Sequence, residues 1–213
     1  NDRLYAIYSG GDDLFFVGAW DELVNFAINI RNDLVRYSGG HPGIHISGGM
    51  VLVGNKYPLA KAAKDAEDAE KQAKNHTWYQ DETAYKKNAF CFLGIPLDWT
   101  TFEKSTDLKC RLQSEIEESK RKSIARKLLD IYALYADSDK KRRDAGKNLS
   151  TSGKPQPLYG PWNWRMAYML KRNLKDKEDF ISHINNIASM DWIGLAARWV
   201  ELEEREEINH AKI

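Results

Sequence analysis

The sequence predicts an α+β fold in two parts, a partial sheet-and-helix domain followed by an all-helical bundle. Three observations carry that reading. Two short runs rich in aromatic and β-branched residues flank a Gly-Gly pair near the start; two later segments repeat apolar residues at helical spacing around a further strand; and beyond residue 98 every periodic segment is helical.

Residues 5–8 and 14–17 read as strands of a hairpin whose link is Gly10-Gly11, since glycine takes positive φ without strain. From Asp21, read as an N-cap, Leu23, Phe26, Ala27, Ile30 and Leu34 mark an amphipathic helix of about four turns. The stretch SGGHPG ends it. Residues 44–53 then alternate as a strand, interrupted at Gly48-Gly49, which marks a bulge or the close approach of another backbone or a ligand. PLAKAAKDAEDAEKQAK forms a second helix, whose Ala62, Ala66, Ala69 and Ala73 make a narrow face able to lie close on a sheet; residues 89–93 form a short strand. Hairpin, helix, strand, helix, strand is the latter part of a ferredoxin-like sandwich, an antiparallel sheet with helices on one face. Its opening strand and helix are expected to precede residue 1, so the chain reads as a piece cut within a domain. The domain boundaries follow as 1–97 for this portion and 98–213 for the bundle. Bundle helices are expected over residues 99–119, 122–136, 162–173, 178–189 and 192–208, with a polar loop rich in Gly, Pro and Ser at about 137–160.

Composition narrows the function classes. With 30% charged and 42% hydrophobic residues the chain is an ordinary globular mixture, and its apolar runs fall far short of a membrane span. The expectation is a soluble cytoplasmic protein. The two cysteines, Cys91 and Cys110, are too few for a zinc knuckle or a disulfide framework and read as structural thiols. A net charge of +1 hides a basic second half, densest at SKRKSIARK and DKKRRDAGK; such clusters suit either a solvated face or contact with nucleic acid or an acidic partner. Trp99, Trp192 and Trp199 fall on apolar helical faces and are expected in the core, while Trp78, Trp162 and Trp164 stay open between core and stacking roles. The five histidines lack ligand spacing, and no GxSxG elbow or Walker loop is present.

The chemistry concentrates in LYAIYSGGDDLFF, residues 4–16. Magnesium and similar hard cations prefer carboxylate oxygen and commonly bridge one or two carboxylates to nucleotide phosphates. Asp12 and Asp13 can supply those oxygens. Successive strand side chains alternate in face, so one is expected as the principal ligand and the other as support. Asp12 is expected across the turn from Ser9, with the glycines leaving room for a nucleotide at the backbone. Gly-Gly-Asp is also ordinary turn chemistry. Within a ferredoxin-like order of elements, however, such a hairpin is how palm-type polymerases and nucleotidyl cyclases present metal-binding acids. Lys74, ending the Ala-rich helix, would then be a phosphate counter-charge; otherwise it is one solvated lysine beside Lys71.

YSGGDDLFFVG resembles the hairpin of diguanylate cyclases and, more closely, the GGDD form in the second Palm domain of the large subunit of type III CRISPR effector complexes, of the III-A, Csm kind. IHISGGMVLVGNKYPLAKAAKDAEDAEKQAKN is similar to the strand and helix of both families, which end in an Ala-Lys pair, here Ala73-Lys74. AFCFLGIPLDWTTFEKSTDL, KSIARKLLDIYALYAD and LYGPWNWRMAYMLKR resemble the CRISPR subunit's passage into a C-terminal helical domain, where diguanylate cyclases normally stop. The resemblance implies a nucleotidyltransferase that joins ATP into cyclic oligoadenylate, a messenger for antiviral defence. It implies Mg2+ or Mn2+ on Asp12 and Asp13, ATP lined by Ser9, Gly10 and Gly11 with Lys74 at its triphosphate, and a bundle docked to the small helical subunit in a complex with guide and target RNA. The family's single-stranded DNase domain of HD type is not seen in this sequence, and the piece alone is expected to be inactive. Two rivals stand beside this reading: a stand-alone GGDEF-like cyclase using GTP, and a non-catalytic scaffold for protein and RNA.

Overall fold

Residues 3–80, 83–121, 123–144, 160–173, 178–184 and 190–210 are described by a computed structural model, and the chain divides into two units, 1–99 and 100–213. In the first, β1 (Leu4–Gly10) and β2 (Asp13–Gly18) form the antiparallel hairpin. Gly10 faces Asp13 and Ser9 faces Leu14, so the two-residue turn is Gly11-Asp12 rather than Gly10-Gly11. The left-handed position falls on Gly11 (φ 63°), where glycine avoids the Cβ clash, and Asp12 takes the second turn position. Asp12 therefore has no cross-strand partner, contrary to the expected pairing with Ser9. A register shift between Ala6 and Tyr8 interrupts the ladder.

α1 (Trp20–Tyr37) begins before Asp21, with Ala19 at its N-cap and no side-chain cap. Asp21 instead sits in the first turn, where a carboxylate complements the helix dipole, and accepts a hydrogen bond from Arg3 Nη2 at 2.9 Å. The Ala19 amide bonds to the Arg3 carbonyl, and Phe16 meets Phe26 edge-on with centroids 4.7 Å apart, so α1 is tied to the hairpin at both backbone and side chain.

The expected strand over 44–53 shrinks to β3 (Gly48–Met50), because only these residues find a ladder partner; Ile44, Leu52 and Val53 remain exposed. α2 (Leu59–Asn75) lies directly on β3. A Cβ added to Gly49 would sit 2.3 Å from the Glu70 amide nitrogen and 2.5 Å from the Ala69 carbonyl carbon, so the glycine there marks a backbone approach. Ala62, Ala69 and Ala73 are buried on the facing side, and Ala69 and Ala73 pack with Ala89 and Cys91.

Three strands escaped the sequence reading. β4 (Thr77–Gln80) and β5 (Thr83–Lys86) form a second hairpin, on which Trp78 stacks against Tyr85 at 4.8 Å and donates its indole N–H to the Lys87 carbonyl. β6 (Ala89–Phe92), wholly buried, lies between β3 and β7 (Ile95–Asp98). The β3–β6 pair is parallel and β6–β7 antiparallel, which corrects the expectation of a purely antiparallel sheet: a helix crossover such as α2 returns the chain in the same direction. β7 carries Pro96, tolerable because β7 is an edge strand of this sheet. Trp99 closes the unit, its ring stacked on Phe90 at 5.0 Å and its N–H on the Ile46 carbonyl at 2.8 Å.

The second unit is helical: α3 (Trp99–Ser119), α4 (Ser123–Asp144), α5 (Pro161–Asn173), α6 (Glu178–Ile184) and α7 (Met190–His210). α4 packs against both α5 and α7. Leu108, Leu112, Ile124, Leu128, Leu170 and Leu195 are almost completely buried, as the apolar stripes require. Trp192 and Trp199 are buried as expected, joined by Trp162, whereas Trp164 is 61% exposed. α4 continues past Ala136 into the segment expected as a loop. Its Lys and Arg residues favour helix, and Lys141 pairs with Asp137 one turn away at 2.7 Å. Residues 145–159 of the expected loop, and 185–189 of the expected fourth bundle helix, lie outside the described residues. Among the described residues, no helix is long and apolar enough to cross a membrane.

The hairpin tip as candidate functional site

Two strands place Asp12 and Asp13 at the end of a ribbon where both side chains are exposed, as are Ser9 and Gly11. Around Gly11 an added Cβ would meet nothing within 4 Å, so the tip has open space beside its backbone. Gly10 is different. A Cβ there would come within 3.0 Å of the Tyr8 hydroxyl, whose ring shields that side of the strand.

Lys74 is in the last turn of α2, and its ammonium pairs with Glu70 at 2.7 Å. The lysine pKa is raised, chiefly by the hydrogen bond to Glu70; partial burial opposes this, while the charges of Asp13 and Asp12 add to the rise. The fold thus brings the helix-end lysine within electrostatic reach of both hairpin acids, although they are more than 60 residues apart in sequence. Ser9, Gly10, Gly11, Asp12 and Asp13 share the hairpin, whereas Lys74 stands on α2 and is paired with Glu70.

Sequence reasoning missed Glu70, while the close backbone approach expected at Gly48-Gly49 is found at Gly49. Glu70 holds Lys74, and its signal was the i, i+4 spacing of opposite charges on a helix. Gly49 sets how closely α2, and hence Lys74, lies on the sheet. Next along the chain, burial lowers the pKa of His76, with Asp98 opposing. A separate cleft of about 230 Å³ lies between α1 and the loop that follows it, lined by Arg31, Ser38, His41, His45 and Asn88 among others; it includes none of the expected site residues.

Among the described residues no group of three or more His, Cys, Asp or Glu side chains is placed to hold a metal ion. The two hairpin carboxylates nevertheless suit magnesium or manganese, because magnesium usually takes one or two protein carboxylates and completes its shell with water and substrate phosphate. Exposure at the tip leaves that space open.

Residues 1–84 match the family model of the Cas10/Cmr2 second palm domain. Over these residues, which include the GGDD hairpin, the chain is similar to that palm domain. Its similar relatives include proteins named CRISPR system single-strand-specific deoxyribonuclease Cas10/Csm1 (subtype III-A). The one from Methanocaldococcus jannaschii is 38% identical over 101 residues, covering 46% of this chain and 13% of that protein. The one from Enterococcus italicus is 40% identical over 72 residues, 34% of this chain and 9% of that protein. The Thermococcus onnurineus protein is 25% identical over 145 residues, 62% of this chain and 18% of that protein, a match too long to end within residues 1–99. The chain therefore spans only a small part of the length of the Cas10/Csm1 relatives it matches.

Proposed function

We propose that this chain is part of a Cas10-type palm and that its hairpin tip carries out metal-assisted nucleotidyl transfer, joining ATP into cyclic oligoadenylate. The observation that supports it most is the pair of exposed carboxylates, Asp12 and Asp13, at the hairpin tip, with the Lys74 ammonium near enough to feel both charges. A cation held by the two carboxylates would neutralise phosphate charge and orient the triphosphate for attack by a ribose hydroxyl. Lys74 is suited to the distal phosphates: its ammonium stays protonated near neutral pH and need only exchange Glu70 for phosphate oxygen. Gly11 leaves the turn open to the nucleotide, and Ser9, one residue before Gly10, can donate its hydroxyl to a phosphate or ribose oxygen. Positioning and charge, rather than a covalent intermediate, carry such a reaction. The helical unit serves as the docking domain to the small helical subunit of the complex, which also holds guide and target RNA. The deoxyribonuclease named in the relatives is not assigned to this hairpin.

The test uses the complete subunit in its assembled complex. With labelled ATP and target RNA, Asp12→Asn together with Asp13→Asn is expected to abolish oligoadenylate while target RNA still binds. Product formed at the unaltered level would overturn the reading and favour a scaffold; a preference for GTP over ATP would favour the stand-alone cyclase alternative.

A further inference from the structure

Helix α5 has an unusual outer face. Trp162, Met166, Met169 and Leu170 point inward and are buried. Outward, Trp164 and Tyr168 are 61% and 62% exposed, one helical turn apart. Cations lie over both rings: the Arg165 guanidinium is 5.4 Å from the Trp164 ring, and that of Arg172 is 6.0 Å from the Tyr168 ring and bonds its hydroxyl. The helix carries Arg165, Lys171 and Arg172 and no acid. At its end Arg121 donates to the Asn173 carbonyl and Lys127 to the Asn173 side chain, so two further cations lie at the C-terminus of α5.

Helix stability accounts for part of this. Lys171 and Arg172 lie in the last turn, where cations suit the dipole. Arg165 lies outside the last turn, where the dipole offers a cation no support, and neither it nor the exposed rings contributes to the core. Large aromatics standing in water beside arginines are what a nucleic-acid strand uses, since every base has a π-face and every linkage a negative charge. Four residues of helix rise about 6 Å, close to twice the ~3.4 Å per nucleotide of a stacked strand, so the two rings meet neighbouring bases of a strand drawn out of stacking. A coiled-coil partner would want aliphatic knobs, and on α5 those are already spent on the core.

We infer that the solvent face of α5, with Trp164 and Tyr168 as platforms and Arg165, Lys171 and Arg172 as phosphate contacts, binds single-stranded nucleic acid. The inference rests on the helical unit alone and does not depend on nucleotide chemistry at the hairpin.

The experiment measures anisotropy of a fluorescein-labelled single-stranded RNA of about 12 nucleotides, within the span such surfaces cover, titrated with the whole chain at several salt concentrations. Trp164→Ala and Tyr168→Ala should each weaken binding by about 5- to 150-fold, whereas Trp164→Phe should keep most of the affinity. Replacing Arg165, Lys171 and Arg172 together by Gln should reduce the slope of log affinity against log salt by about 2, since each phosphate contact on a single strand contributes about 0.7. Blunt duplex RNA of equal length should bind more weakly. Unchanged affinity in the alanine variants with an unchanged salt slope would overturn the inference. So would loss of small-subunit assembly with RNA binding intact, which would make the face a protein dock. These side chains are exposed, so folding is expected to survive, and far-UV circular dichroism checks it.

Discussion

Replacing Gly49 by Ala tests how Lys74 is positioned. The new Cβ would lie 2.3 Å from the Glu70 amide nitrogen, 2.5 Å from the Ala69 carbonyl carbon and 2.8 Å from the Ala69 Cβ, where ordinary contact begins at 3.4 Å. No rotamer change can relieve a clash of backbone with backbone, so α2 must retreat by about 1 Å. A gap of that size forfeits between a quarter and a half of the dispersion energy of the contacts it opens, here those of Ala69 and Ala73 with Ala89 and Cys91. Overpacking typically costs about 1 to 3 kcal/mol; with no side chain able to give way, the upper end, about 3 kcal/mol, is expected. Urea denaturation reads it: with a slope of about 2 kcal/mol per molar, the midpoint should fall by about 1.5 M. Gly54→Ala is the control, because a Cβ there meets nothing within 4 Å, and its change should stay within about 0.5 kcal/mol. In the assembled complex Gly49→Ala should also slow oligoadenylate synthesis, since Lys74 moves with the helix. A midpoint for Gly49→Ala equal to that of the control would refute the reasoning.

Glu70→Gln should release Lys74 from its partner and lower the lysine pKa toward its ordinary value, because the Glu70 hydrogen bond is the largest cause of the rise; ATP titration of the complete subunit at low salt is expected to show tighter binding by a few-fold. Burial pushes the Cys91 thiol from 9.0 up to about 11, so with 5,5′-dithiobis(2-nitrobenzoate) near neutral pH the native chain should react at exposed Cys110 and not at Cys91. Since the folded-state value is raised, the stability that Cys91 contributes is complete below pH 9 and is lost as pH rises from 9 through 11, where the unfolded thiol ionises first. The loss should show as a steeper alkaline fall in denaturation midpoint than in Cys91→Ala. Lys109, 3.0 Å from Glu203 and 5.3 Å from the Trp199 ring centroid, is largely buried. Lys109→Met keeps the apolar stem but leaves Glu203 without its cation, and should cost about 1 to 3 kcal/mol in thermal unfolding.

The elements most legible in the sequence were those whose pattern and local chemistry agreed. The Ala-rich helix, the helix beginning at Trp99 and the glycine hairpin each combine correct periodicity with suitable punctuation. Where they disagreed, tertiary structure decided. Residues 44–53 have the alternation of a long strand, yet a strand exists only where a neighbour supplies hydrogen bonds, and that is 48–50. β4 and β5 were hidden because TWYQ and TAYK have no glycine turn of the usual kind between them. β7 was hidden by its proline, which only an edge position permits. At the site, Asp12, Asp13 and Lys74 were legible as residue types. That Lys74 feels the charge of both acids was not, since they lie more than 60 residues apart in sequence, and the turn was misplaced by one residue because two adjacent glycines cannot show which will adopt the left-handed backbone.

The β1–β2 ribbon forms its own two-stranded sheet, hydrogen-bonded to none of the other described strands, and Tyr5, Ile7, Tyr8, Leu14 and Val17 along it are exposed. Seven residues of strand make a lever about 23 Å long. A tilt of about 5° at its base would swing the tip by about 2 Å, several times the ~0.5 Å tolerance that catalytic geometry allows. If the two aspartates act as proposed, the stiffness of the ribbon would limit them as well, and any body that clamped the bare flank of this lever would act as a throttle on them without touching either carboxylate.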